Sequence, residues 1–305
     1  MAEEKAVNVG PAGIEMAYER LGDPAAPPVL LVMGIGAQLN GWPDGFCAEL
    51  VARGVQPVRF DNRDCGLSSH FRHAPEPDLR AALLGDTSSA SYTLSDMAAD
   101  TVGLMDALGL DSAHLVGASL GGAIAQTAAI EHPGRVRSLT SVMSSTGDPA
   151  VGRATPQALG AFAGPPPMNR QEAIAQVVRI SRAFASPGHP FEEAEVADRA
   201  ARSHDRAYDP RGVTRQAVAS LASGDRTAGL RALGVPTLVI HGADDPMVDV
   251  SGGRATAAAV PGAELAVIPG MGHDLPRALW PELAALITGL VHRVEAARPS
   301  DLPAR

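Results

Sequence analysis

Apolar and polar positions change period in a regular way along this chain. Residues 29–33 (Val-Leu-Leu-Val-Met) form an unbroken apolar run, the pattern of a strand buried on both faces. Residues 46–53 read as a helix and 57–61 as the next strand, followed at 62–90 by a long loop rich in Gly, Pro and Ser. Over 93–109, Leu94, Met97, Ala98, Thr101, Met105 and Leu108 repeat at the helical period. Ser95 with its neighbour Asp96 is the expected cap of that helix, and Gly109 its stop. A strand at 113–118 runs directly into Ser119 and a helix at 120–132, closed by Pro133 and Gly134. Another strand is expected at 136–143.

The pattern then changes. Residues 146–232 hold no convincing buried strand. They carry the link Gly164-Pro165-Pro166-Pro167, a helix after Asn169, and helices near 191–207 and 211–222. Strand signals return at 235–240 and 264–268, and a final helix is expected at 278–295. Strands alternating with helices specify a mostly parallel sheet with helices on both faces, an α/β fold. The expected organisation is a core of 1–145 and 233–296, a helical lid (cap) inserted at 146–232, and a loose tail at 297–305. Such a lid would cover the carboxyl edge of the sheet, where open α/β sheets bind ligands.

Composition narrows the chemistry. With 305 residues, 45% hydrophobic and 19% charged, the chain can bury a full core without staples. A net charge of −9 lacks the positive footprint of a nucleic-acid partner. No apolar run approaches the roughly 18 residues of a membrane span, so no membrane partner is expected. The acidic start has no basic stretch leading into an apolar one, so no signal peptide and a cytoplasmic location are expected. Lys5 is the single lysine among 25 basic residues and falls in an N-terminal tail expected to be loose. Schiff-base, Ser–Lys and P-loop chemistries all need a buried lysine and are excluded. Cys47 and Cys65 form no ligand pattern, and reduced thiols suit a cytoplasmic chain. Neither HExxH nor GxGxxG occurs, so no metal or cofactor is expected.

One pentapeptide stands in a telling place. Gly117-Ala118-Ser119-Leu120-Gly121 is G-x-S-x-G, between an apolar strand and a helix, as a nucleophile elbow requires. A serine hydroxyl needs a base. Of nine histidines, His273 lies in the Gly-rich stretch Pro269-Gly270-Met271-Gly272-His273-Asp274 directly after the last strand, and is the chosen base. His241, closing the preceding strand, is its rival, with a structural hydrogen bond as its plainer role. The base needs a carboxylate to fix its tautomer, and His241-Gly242-Ala243-Asp244-Asp245 offers two. Asp245 is chosen, which leaves Asp244 as a turn-forming neighbour. The order Ser119, Asp245, His273 is the α/β-hydrolase order. Two backbone donors are needed for an oxyanion: the amide of Leu120, at a helix N-terminus, and the amide of Ile35, in the turn after the first apolar strand. Met33, Trp42, Met143 and Phe162 are expected to wall the substrate pocket, with Met168 nearby.

With these pieces placed, the chain resembles the α/β-hydrolase superfamily over about residues 14–290. Met33-Gly34-Ile35 stands where many members carry His-Gly and the oxyanion residue. Asp61-Asn62-Arg63-Asp64-Cys65-Gly66-Leu67-Ser68 is similar to the family's D-x-R-G-x-G-x-S segment, with Asp64 in place of the usual glycine. Within the superfamily it resembles the aclacinomycin methylesterase group. The shared segments are LLVMG, Gly41-Trp42-Pro43-Asp44, and Ile268 through His273 followed by Leu275-Pro276. That resemblance implies removal of a methyl ester from an anthracycline polyketide. The expectation is a serine carboxylic-ester hydrolase taking a small to medium hydrophobic ester as its small-molecule partner. Other chemistry on the same fold (C–C bond hydrolysis, acyl transfer, cofactor-free perhydrolysis) and a non-catalytic ligand-binding module are the alternatives.

Overall fold

The computed structural model describes residues 3–298. Eight strands form one sheet: β1 (Glu4–Val9), β2 (Ile14–Arg20), β3 (Pro28–Val32), β4 (Gln56–Phe60), β5 (Ala113–Ala118), β6 (Val136–Val142), β7 (Thr237–Gly242) and β8 (Glu264–Ile268). Their spatial order is β1-β2-β4-β3-β5-β6-β7-β8. From β4 to β8 every pairing is parallel, while β1–β2 and β2–β4 are antiparallel.

The strands alternate between two cores. Leu30 and Val32 of β3 and Leu115 of β5 face one cluster, and Val29, Leu31 and Val116 face the other. The first is covered by α3 (Leu94–Ala107) and α4 (Leu120–Glu131), the second by α1 (Asp44–Ala52) and α11 (Trp280–Ala297). β3 is therefore apolar on both faces, which is why it reads as a continuous run, whereas β4 and β6 also bury polar residues such as Gln56, Arg59, Ser138 and Ser141. The remaining helices are α2 (Leu79–Leu83), α5 (Pro156–Gly160), α6 (Arg170–Phe184), α7 (Glu193–Arg206), α8 (Pro210–Ser223), α9 (Thr227–Arg231) and α10 (Ser251–Ala259). No helix among the described residues is long and apolar enough to cross a membrane.

Helices α5–α9 form a block between β6 and β7, with no strand among their described residues. Buried polar contacts hold it to the sheet. Arg206 of α7 donates to Asp61 Oδ2 at 2.8 Å, and Gln38 donates to the carbonyls of Ser203 and Ala207. Arg215 of α8 grips both oxygens of Asp64 at 2.8 Å. Asp64 has φ +61°, a conformation glycine favours and aspartate tolerates. Its carboxylate also accepts from Tyr92 and from the Phe71 amide. Asp64 thus anchors the helical block.

Three expectations need correction. The segment that carries Lys5 is not loose: β1 pairs with β2, and Lys5 lies 3.3 Å from Glu15. Only Ala6 and Val9 of β1 turn inward, and a register shift separates them, so no alternation marks the strand. The cap of α3 is Thr93, in a reciprocal box with Asp96, while Ser95 donates to Glu131 instead. Of the tail expected at 297–305, Ala297 is still helical, and the residues from 299 onward lie outside the described residues.

Candidate active site

The triad and oxyanion candidates each follow the carboxyl end of a parallel strand: Ile35 after β3, Ser119 and Leu120 after β5, Asp245 after β7 and His273 after β8. Chain reversals there hang side chains over one sheet edge. The tightest is at Ser119, which has φ +55° and ψ −120° as the residue capping α4. Such a backbone costs about 1–3 kcal/mol and persists only when its surroundings fix it. Here the Ser119 amide donates to the Val142 carbonyl at 2.9 Å, and its carbonyl accepts from Gly122 at 2.9 Å. The flanking glycines are obligatory for space. A Cβ on Gly117 would stand 2.1 Å from the Gly121 carbonyl oxygen, and one on Gly121 would stand 2.0 Å from that of Val32.

The structure brings the three distant side chains into one hydrogen-bonded line. Ser119 Oγ is 3.0 Å from His273 Nε2, and His273 Nδ1 is 2.7 Å from Asp245 Oδ2. A carboxylate can only accept, so Nδ1 carries the proton and Nε2 is left to receive one from Ser119. The other oxygen of Asp245 accepts from the Met247 and Val248 amides at 2.9 and 2.8 Å. Burial by itself would raise the Asp245 carboxyl. Hydrogen bonds from His241 and His273, the His273 charge and the Val248 amide outweigh it and hold the pKa at about 2. The group stays ionised.

The rival residues take structural roles. His241 donates from Nε2 to the Val248 carbonyl at 2.7 Å and lies 3.5 Å from Asp245 Oδ2, bracing the loop. Asp244 accepts from the Gly270 amide at 2.9 Å. Cys47 and Cys65 are free and buried, and burial pushes the Cys47 thiol up to about 12, so it is no nucleophile.

The two expected oxyanion donors lie on segments that adjoin Ser119. Leu120 is the first residue of α4, so its N–H has no carbonyl a turn earlier in the helix. A Cβ on Gly34 would touch Ser119 Cβ at 3.2 Å and Oγ at 3.7 Å, which places the turn carrying the Ile35 amide against the serine. That turn is held from the helical block: Gln216 of α8, fully buried, accepts from the Gly36 amide at 2.8 Å and donates to the Arg63 carbonyl at 2.7 Å.

The expected pocket wall is revised. Trp42 is wholly buried and stacks on Phe46 at 5.6 Å in the core under α1, so it faces no substrate. Met33 and Met143 are buried in the same cluster, adjoining Gly34 and Val142 of the site in the chain. Phe162 is half exposed and packs on Phe184, whose ring meets the His273 imidazole edge to face at 5.9 Å. Met168 is exposed. Phe184, Ser186 and Gln216 carry no motif, and only the folding of the helical block onto the sheet brings them to the site.

Asp64, His70 and Asp209 are close enough to share a metal ion. The Arg215 guanidinium already supplies the positive charge there, and His70 is bonded to Asp209 at 2.8 Å and to the Gly66 carbonyl at 2.9 Å. The donor set is spent on holding α8.

Known proteins give the same picture. Residues 27–276 match the alpha/beta hydrolase fold family. The chain is 31% identical over 290 residues to rhodomycin D methylesterase DnrP of Streptomyces peucetius, spanning 88% of this chain and 92% of that protein. It is 28% identical over 260 residues to a putative carbamate hydrolase, RutD, of Caulobacter sp. (strain K31), spanning 84% and 88%. The fold superposes on esterase RhEst1 from Rhodococcus sp. ECU1013 with a TM-score of 0.70 at 22% identity, over 98% of this chain and all of the other. Sheet order, the elbow after β5 and a match across most of the sequence agree, and the chain belongs to the α/β-hydrolase fold family.

Proposed function

We propose that this protein is a serine carboxylic-ester hydrolase acting through Ser119, His273 and Asp245. The observation that carries the reading is the unbroken line of hydrogen bonds from the Ser119 hydroxyl to the ionised Asp245 carboxylate. His273 Nε2 takes the hydroxyl proton as Ser119 Oγ bonds to the ester carbonyl carbon. The carbonyl oxygen becomes an oxyanion held by the Ile35 and Leu120 amides, helped by the N-terminal dipole of α4. Asp245 stabilises the imidazolium. His273 then gives its proton to the departing alkoxide, and the alcohol leaves an acyl-enzyme. Water deprotonated by the same nitrogen attacks the acyl carbon, Ser119 recovers its proton, and the acid is released.

The substrate we infer is a hydrophobic ester. Phe162, Phe184 and the partly exposed Ile35 offer apolar surface near the nucleophile. The helical block 146–232 acts as the cap over the site, and the core is 1–145 with 233–296. The relation to a methylesterase makes methyl esters the first class to try, short-acyl and polyketide esters following.

A fluorophosphonate probe tests the nucleophile. Labelling of the wild type that disappears in Ser119→Ala, together with turnover of p-nitrophenyl acyl esters, supports the reading. Folded wild type that takes no label, or label that survives Ser119→Ala, overturns it.

A further inference from the structure

The loop that carries His273 does not stand alone. Residues 184–188, where α6 ends, run alongside residues 270–274. The His273 amide donates to the Phe184 carbonyl at 2.8 Å, and the Gly188 amide donates to the Gly270 carbonyl at 3.0 Å. The Gly272 amide donates to Ser186 Oγ at 2.8 Å, and the Ser186 hydroxyl donates in turn to Asp274 Oδ1. The backbones touch: a Cβ on Gly272 would stand 2.5 Å from the Phe184 carbonyl oxygen, and one on Gly188 would stand 2.8 Å from Gly270 Cα. Ser186 is 3% exposed although it lies in a connection between helices. One hydroxyl thus binds both neighbours of the histidine, residue 272 through its amide and residue 274 through its carboxylate.

We propose that Ser186 is a positioning residue for His273, its hydroxyl bridge fixing the loop so that the imidazole reaches Asp245 and Ser119 together. The catalytic consequence rests on the hydrolase reading above; the geometric one does not. The imidazole must satisfy 2.7 Å on one side and 3.0 Å on the other, and it hangs from a loop with glycines at 270 and 272. Without the bridge, residues 272 and 274 each lose their fixed partner, and the ring is free to leave one of its two contacts. A displacement of about 1 Å at a reacting group costs about a hundredfold in rate. The helical block therefore shapes catalysis through this contact as well as by covering substrate.

Three variants and two readouts test this. Ser186→Ala and Asp274→Ala break the bridge, whereas Asp274→Asn keeps an acceptor for the Ser186 hydroxyl. The breaking variants are expected to lower kcat about tenfold to a hundredfold with KM within about threefold, and Asp274→Asn to stay within about threefold of wild type. Independently of any substrate, proton NMR reads the downfield resonance of the His273 Nδ1 proton, assigned by its loss in Asp245→Asn. It should be sharp in wild type and Asp274→Asn, and broadened or lost in Ser186→Ala. Wild-type kcat and an unchanged resonance in Ser186→Ala overturn the proposal. So does a loss of kcat that merely follows a fall in melting temperature equally in all three variants. If wild type hydrolyses no ester, the hydrolase reading alone fails, and the resonance still decides this one.

Discussion

Replacing Asp245 by Asn changes one group from anion to amide at nearly constant shape. Its consequence can be worked from the site. The carboxylate is fully buried and the imidazole nearly so, so water screens the pair little. During reaction His273 becomes a cation beside that carboxylate. Two unit charges about 4 Å apart at an effective dielectric near 20 attract by about 4 kcal/mol. Each ~1.4 kcal/mol is a tenfold change in rate, so losing the charge alone lowers turnover by about a thousandfold. The amide can also present an N–H to Nδ1, forcing the proton onto Nε2, where it blocks proton acceptance from Ser119. In a serine protease this exchange costs about ten-thousandfold. We therefore expect kcat on p-nitrophenyl esters to fall by about 10³ to 10⁴ in Asp245→Asn, with folding retained by circular dichroism. Asp244→Asn, which disturbs only a bond to the Gly270 amide, should stay within about threefold. If Asp245→Asn keeps more than a tenth of wild-type turnover, or Asp244→Asn falls further than it does, the carboxylate has been assigned wrongly.

Three other outcomes follow from the same contacts. Gln216→Leu leaves the Gly36 amide and the Arg63 carbonyl without partners, so kcat should fall about tenfold with KM little changed; steady-state kinetics in which only KM moves would contradict its hold on the oxyanion turn. Gly121→Ala forces a methyl group against the Val32 carbonyl and should cost at least about 3 kcal/mol in urea denaturation, whereas Gly134→Ala, with open space around it, should be near neutral. His114 is held neutral by burial, its pKa lowered from 6.5 to about 4 although Glu295 pulls the other way. Above pH 6.5 this carries no penalty. Between 6.5 and about 4 the unfolded chain binds a proton that the folded chain refuses, so stability falls as pH drops, by about 3 kcal/mol in full. Urea midpoints at about pH 7.5 and about pH 4.5 should therefore lie closer together in His114→Gln than in wild type.

The sequence by itself determined the parallel sheet and the elbow, and it singled out His273 and Asp245 only as preferences over His241 and Asp244. A strand buried on both faces is mostly apolar, so β3 announces itself without neighbours, and β5 and β7 do so around the buried His114 and His241. Gly117 and Gly121 are legible because a Cβ there would meet backbone near 2 Å, and they frame Ser119 between strand and helix. Between Asp244 and Asp245 the sequence offered only a preference, and the direction of one loop decided it. Tertiary structure alone placed β1, which pairs beside β2 and turns Ala6 and Val9 into the core under α3, and sent Trp42 into the core. It alone brought Phe184, Ser186 and Gln216 to the site, as well as the anchors Arg206 and Arg215. Periodicity and motif record what a segment requires of itself. A serine that binds the two neighbours of a histidine 87 residues away meets its requirement only when the chain has closed, because hydrogen bonds depend on distance in space and leave no period along the sequence.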